Sequence, residues 1–135
     1  MPNPDRPFDD WQELVEFARA TWTLEGSDDT NEWFERVWQW NQRSQQVTFA
    51  RVEYNRETWV SWAAAIADDS EMTDAQIIEA TAGEMGRIIR DDGCCWLEQH
   101  LPLALLTPRL FERYSDHFAK RADDLERAIT GGDRD

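Results

Sequence analysis

The sequence predicts an α+β fold: an antiparallel β-sheet with helices packed on one face, in the order α-β-β-β-α-β-β-α. Three observations lead there. Apolar residues recur at helical spacing near both ends of the chain and once in its middle. Between these segments lie runs rich in Val, Thr, Phe, Tyr and Trp that alternate at period two. Asp92-Gly93, a hairpin dipeptide, stands between two further runs with strand character. Strands grouped between helices fit a helical layer on an antiparallel sheet.

Residues 1–8 form a proline-containing N-terminal arm. Asp9 or Asp10 can cap a helix, since Asp10 stands three residues before Glu13 in capping-box spacing. Trp11, Leu14, Val15, Ala18 and Trp22 then make the apolar stripe of a helix of about four turns. Gly26-Ser27-Asp28-Asp29 breaks it. Residues 33–40 form a strand with Phe34, Trp38 and Trp40 on one face and Glu35 and Gln39 on the other. Helical spacing of Trp33, Val37 and Trp40 is the alternative there. After the polar turn Asn41-Gln42-Arg43-Ser44, Gln46 to Tyr54 is a strand carrying Val47, Thr48, Phe49, Val52 and Tyr54. Asn55-Arg56-Glu57 reverses the chain. Thr58 to Ala67 returns with Val60, Trp62, Ala64 and Ile66 on one face and Trp59, Ser61 and Ala63 on the other.

Thr73 and Gln76 make a capping box at the start of a helix bearing Ile77, Ile78, Thr81, Ala82 and Met85. Gly83 and Gly86 each weaken a helix by about 1 kcal/mol relative to alanine, so the helix ends near Gly86. Residues 86–91 and 94–101 pair as a second hairpin, although Ile88 and Ile89 also fit a last helical turn. Thr107 caps the final helix, with Pro108 at its first position. Phe111, Tyr114, Phe118, Ala122, Leu125 and Ile129 form its predicted buried stripe. Gly131-Gly132 stops it. Residues 9–130 thus make one domain and residues 131–135 a tail.

The formal net charge is -14, from 28 acidic and 14 basic residues. Such a field repels nucleic acid and anionic lipid. It fits a neutral or basic polypeptide partner, or, as a rarer reading, mimicry of nucleic acid. No apolar run approaches the roughly 18 residues of a membrane span, and the N-terminus carries no secretory pattern. A cytoplasmic location is expected. Adjacent Cys94 and Cys95 are read as reduced thiols, because bridging neighbours strains the disulfide.

Asp91-Asp92-Gly93, Trp96-Leu97-Glu98, Leu101-Pro102-Leu103, Leu106-Thr107 and Ala122-Asp123-Asp124-Leu125 together resemble the YbjN-type domain. That domain shares its fold with the class I chaperones of type III secretion, and the element order is similar to that fold over most of residues 9–129. The resemblance implies a small acidic protein, often a homodimer, that binds other polypeptides and performs no chemistry. The heavy tryptophan load departs from it.

Eight tryptophans stand in 135 residues. Trp11, Trp62 and Trp96 read as core. The strands, however, carry aromatics on both faces, with Trp33 opposite Trp38 and Trp40, and Trp59 opposite Trp62. A sheet covered on one side has one dry face, and exposed apolar patches mark interaction sites. Trp38, Trp40, Phe49 and Trp59 are therefore the expected protein-binding residues, serving a polypeptide client or a second copy. A small-molecule binder with a tryptophan-lined pocket is the alternative, since such rings also stack on sugars and quaternary ammonium groups.

No enzyme, cofactor or metal is expected. His100 and His117 are isolated, and no metal-ligand spacing exists. His100 follows Cys95 by five residues with no orienting carboxylate marked. The acidic pairs Asp28-Asp29, Asp68-Asp69, Asp91-Asp92 and Asp123-Asp124 read as solvated turn or helix-surface groups.

Overall fold

The computed structural model describes residues 3–81 and 86–130. Its elements are α1 (Trp11–Thr21), β1 (Gly26–Ser27), β2 (Trp33–Trp40), β3 (Arg43–Tyr54), β4 (Glu57–Asp68), α2 (Asp74–Thr81), β5 (Arg87–Asp91), β6 (Cys94–Pro102) and α3 (Pro108–Thr130). The α+β class and the element order are as the sequence predicts. The addition is β1, two residues long, whose Gly26 and Ser27 pair with Glu35 and Phe34. The end of the middle helix, with Ala82, Gly83 and Met85, lies outside the described residues. So does the tail with Gly131-Gly132.

Local chemistry sets the boundaries. Asp10 accepts a hydrogen bond from the Glu13 amide at 2.8 Å and so caps α1. Thr73 Oγ1 accepts from the Gln76 amide while Gln76 Oε1 accepts from the Thr73 amide, at 3.2 and 2.8 Å, closing a reciprocal capping box. Thr107 Oγ1 accepts from the Leu110 amide at 3.1 Å at the head of α3. The β5–β6 hairpin turns through Asp92 and Gly93, at φ 53° and 79°, as a type I′ turn requires. Asn55 and Arg56 are likewise left-handed between β3 and β4. Gly86 has φ +79°, and a Cβ there would stand 2.9 Å from the Glu98 carbonyl oxygen, so only glycine fits the entry to β5.

The strands form one antiparallel sheet in the order β1-β2-β3-β4-β6-β5. One face lies under α3 and under α1, whose Trp11 packs on Phe34 of β2; α2 packs beside edge strand β5. The covered rows are read from the register: Phe34 faces Phe49, and Phe49 faces Trp62. Phe49 is the hub of the core. Phe34 stacks on it at 4.8 Å between ring centroids, and Trp22, Phe111, Trp38 and Trp62 surround it at 5.5 to 6.2 Å. Phe8, the last residue of the arm, is buried against Phe17 and Phe111.

The stripe of α3 differs from its apolar pattern. Tyr114 is 37% exposed, while Ser115, Asp123 and Glu126 are buried. Polar residues hold this face because they find partners on the sheet. Ser115 Oγ donates to the Phe111 carbonyl at 2.6 Å and accepts from Trp62 Nε1 at 3.0 Å. Asp123, predicted as a solvated surface acid, is instead buried in an ion pair with Arg43 at the start of β3. Replacing Phe49 with alanine should cost about 3–5 kcal/mol of unfolding free energy, measured by chemical denaturation.

Candidate polypeptide-binding surfaces

Alternation along the strands divides the aromatic residues between two faces. On the covered side, Trp38 is 5% exposed and Phe49 fully buried. This corrects the expectation that both lie on an exposed surface: parity puts them in the row that α1 and α3 cover. Trp40, two residues on, is half-buried at the rim. On the open side lie half-buried Trp59 and Trp96, with Trp33 at 36% exposure. Trp96 is thus not a core residue; its neighbour Leu97 fills the core position. The four predicted site residues do not converge on one patch.

Trp38 and Trp40 line a groove of about 820 Å³ between β2 and the stretch of α3 from Asp116 to Leu125. Trp38 Nε1 donates to Asp116 at 2.9 Å. The Arg36 guanidinium, which sequence reasoning passed over, lies 4.0 Å from the Trp38 ring centroid and 4.5 Å from that of Trp22. Burial lowers the Arg36 pKa, and the Asp116 and Glu112 charges oppose that shift. Beside the groove, β1 reaches only Phe34 and Glu35. From Arg36 to Trp40, β2 has no described strand on its outer side.

The open face is a mixed surface. Its rows, read across the register, are Trp33–Ala50–Ser61–His100 and Glu35–Thr48–Ala63–Glu98. Another runs Val52–Trp59–Pro102. Aromatic and small apolar side chains thus surround a few charges. Burial works to raise the Glu98 carboxyl, but hydrogen bonds from His100 and Arg87, at 2.8 and 3.2 Å, leave it below its ordinary value. Parity alone would have found Trp33 and Trp96, since each sits one residue from a core position.

Cys94 and Cys95 are unbridged thiols. Burial raises the Cys95 pKa, with Arg90 opposing, so the thiolate nucleophile is disfavoured. Among the described residues no three His, Cys, Asp or Glu side chains gather as metal ligands. No described helix is long and apolar enough to cross a membrane.

Together these features define an α+β fold with helices on one face of a six-stranded antiparallel sheet, and chains of two solved complexes share it. A chain in the structure of the HopA1–SchA chaperone–effector complex superposes with a TM-score of 0.65 at 12% identity, covering 87% of this chain and 94% of that one. A chain of the ExsC–ExsE complex gives 0.58 at 16% identity, over 88% and 92% respectively. No family model and no curated protein matches the sequence.

The lowered Glu98 value sets a sign for pH dependence. A carboxyl depressed on folding contributes stability above the ordinary carboxylate range, about pH 4.3. That stability is lost as pH falls through the folded value. Glu98→Gln should therefore flatten the acid limb of the stability–pH curve by no more than about 1 kcal/mol, the scale of a partly exposed pair, as read from denaturant midpoints between acid and neutral pH.

Proposed function

We propose that this protein is a non-catalytic, cytoplasmic, chaperone-like binder that captures a polypeptide segment on the open face of its sheet. The observation that carries the reading is the set of partly exposed aromatics, Trp33, Trp59 and Trp96, on a sheet face that α1 and α3 leave uncovered. Aromatic side chains on such a face supply contact area at low entropic cost. The net charge of -14 keeps the free protein soluble and favours a basic or neutral segment. The neighbours' chaperone–effector and ExsC–ExsE complexes support a polypeptide as the client. The motif likeness to YbjN-type domains belongs to the same reading.

Affinity capture should recover one polypeptide in stoichiometric amount, and the complex should re-form from the two purified chains. Trp59→Ala and Trp96→Ala should each weaken it about tenfold or more, the effect of truncating an interface hot spot, with unchanged circular dichroism. Recovery of the protein alone, with a melting temperature raised by a metabolite, would instead favour a small ligand in the groove lined by Trp38 and Trp40.

We propose that homodimerisation uses the outer edge of β2 beyond the end of β1. The Glu35 carbonyl accepts from the Glu25 amide on the β1 side, so alternation turns the Val37 and Gln39 backbone groups outward beyond the end of β1. Two copies pairing there about a two-fold axis satisfy these groups mutually and bring their Trp40 residues to one interface. Val37→Pro removes an outward donor without touching the β2–β3 ladder. It should shift the protein from dimer to monomer in sedimentation velocity.

A further inference from the structure

We propose that the groove between β2 and α3 binds a small aromatic carboxylate, with Arg36 receiving the carboxylate and Trp40 the ring. This goes beyond capture on the open face and does not depend on it. The groove measures about 820 Å³, room for a small organic molecule. Arg36, Lys120, Arg121 and His117 stand in its walls, and Lys120 is the chain's single lysine. Against the three fixed cations stand two carboxylates, Asp116 and Asp124. The walls thus carry one net positive charge in a chain of net charge -14. The cavity beside Phe8 sets Arg51 and Arg56 against four carboxylates, and the one between β3 and β4 is lined by no basic group.

Independently of the charge, Arg36 has donors to spare. Its guanidinium lies 4.0 Å from the Trp38 ring centroid and 4.5 Å from that of Trp22. Stacking covers the faces of a guanidinium and leaves its N–H groups in the plane, clear of the rings. Among the described residues this guanidinium has no ion pair and no hydrogen bond; Asp116 and Glu112 act on it through charge alone. The Asp116 carboxylate is engaged by Trp38, whose Nε1 donates to it at 2.9 Å. Burial outweighs the pull of both acids on Arg36, so the cation gains from a further negative partner. Arg36 is half-buried and lines the groove, and its donors are reached from there.

An aromatic carboxylate meets these conditions. A carboxylate matches the planar fork of Arg36 and supplies the one negative charge that the walls lack. An aromatic ring packs on half-buried Trp40 and on Leu125. A cation is repelled by Arg36. A neutral ring leaves the Arg36 donors unmet, and a polyphosphate brings more negative charge than the walls offset.

The test titrates the full chain with sodium phenylacetate, against sodium chloride at equal ionic strength. NMR follows the indole N–H signals of Trp38 and Trp40 and the Nε–H signal of Arg36, all of which should shift saturably. Phenylacetamide, the neutral isostere, and acetate, which lacks the ring, should each bind about tenfold more weakly. Arg36→Gln should weaken phenylacetate binding about tenfold, and Arg36→Lys, which keeps the charge but not the fork, about threefold. Trp59→Ala, on the open face, should leave it unchanged. Equal affinity for phenylacetate and phenylacetamide overturns the proposal, as do shifts that never saturate; both results come from the unaltered protein. A short peptide ending in phenylalanine with a free carboxylate tells the source of the acid. Binding as tight as that of phenylacetate makes it a polypeptide chain end, and no peptide binding makes it a free small acid; either result keeps the site. Failure of client capture with phenylacetate still bound overturns the capture reading alone.

Discussion

The structure depends on one packing constraint: a sheet with helices on a single side. Phe49 sits at the centre of that constraint, ringed by Phe34, Trp22, Trp38, Trp62 and Phe111. These rings join β2, β3 and β4 to α3 and to Trp22 at the end of α1. Because side chains alternate along each strand, filling this layer commits the other parity to the uncovered face. The surface proposed for client capture is therefore a consequence of where the core is.

Polar groups fix how α3 sits on the sheet. Ser115 and Asp116, in one turn of the helix, reach Trp62 and Trp38, and Asp123, about two turns on, reaches Arg43. Bonds with defined geometry pin the helix's rotation and position in a way that apolar contacts alone leave looser. They also explain why the buried face of α3 contains Ser115 and Asp123 where an apolar stripe was expected. On the sheet, the fork past Thr48 and Ala63 and the register shift between Ala65 and Ala67 both fall on β4. There β4 changes from sharing ladders with β3 and β6 to sharing one with β6 alone. The result is a gap between the strands whose lining includes Glu35, Asp68 and Glu126.

Much of this was legible in the sequence where the signal is local. The capping boxes, the Asp92-Gly93 turn and the parity of β2 and β4 carry their geometry in neighbouring residues. The two-residue β1 carried no such signal, because pairing of Gly26 and Ser27 depends on where β2 comes to rest. The candidate site was legible in half. Trp59 belonged to an uncovered parity and stayed partly exposed. Trp38 and Phe49 belonged to the other parity, and the sequence pattern does not say which parity the helices cover.

The sequence by itself determined the α+β class, the order of elements, the turns, and which residues share a face, since periodicity, caps and turn chemistry act within a few residues. Tertiary structure decided which face the helices cover, that Asp123 is buried against Arg43, and that β3 and β4 part around Gln45. Those outcomes arise between residues far apart in the chain. They are settled when the sheet twists and α3 chooses its rotation, and no local pattern records that choice.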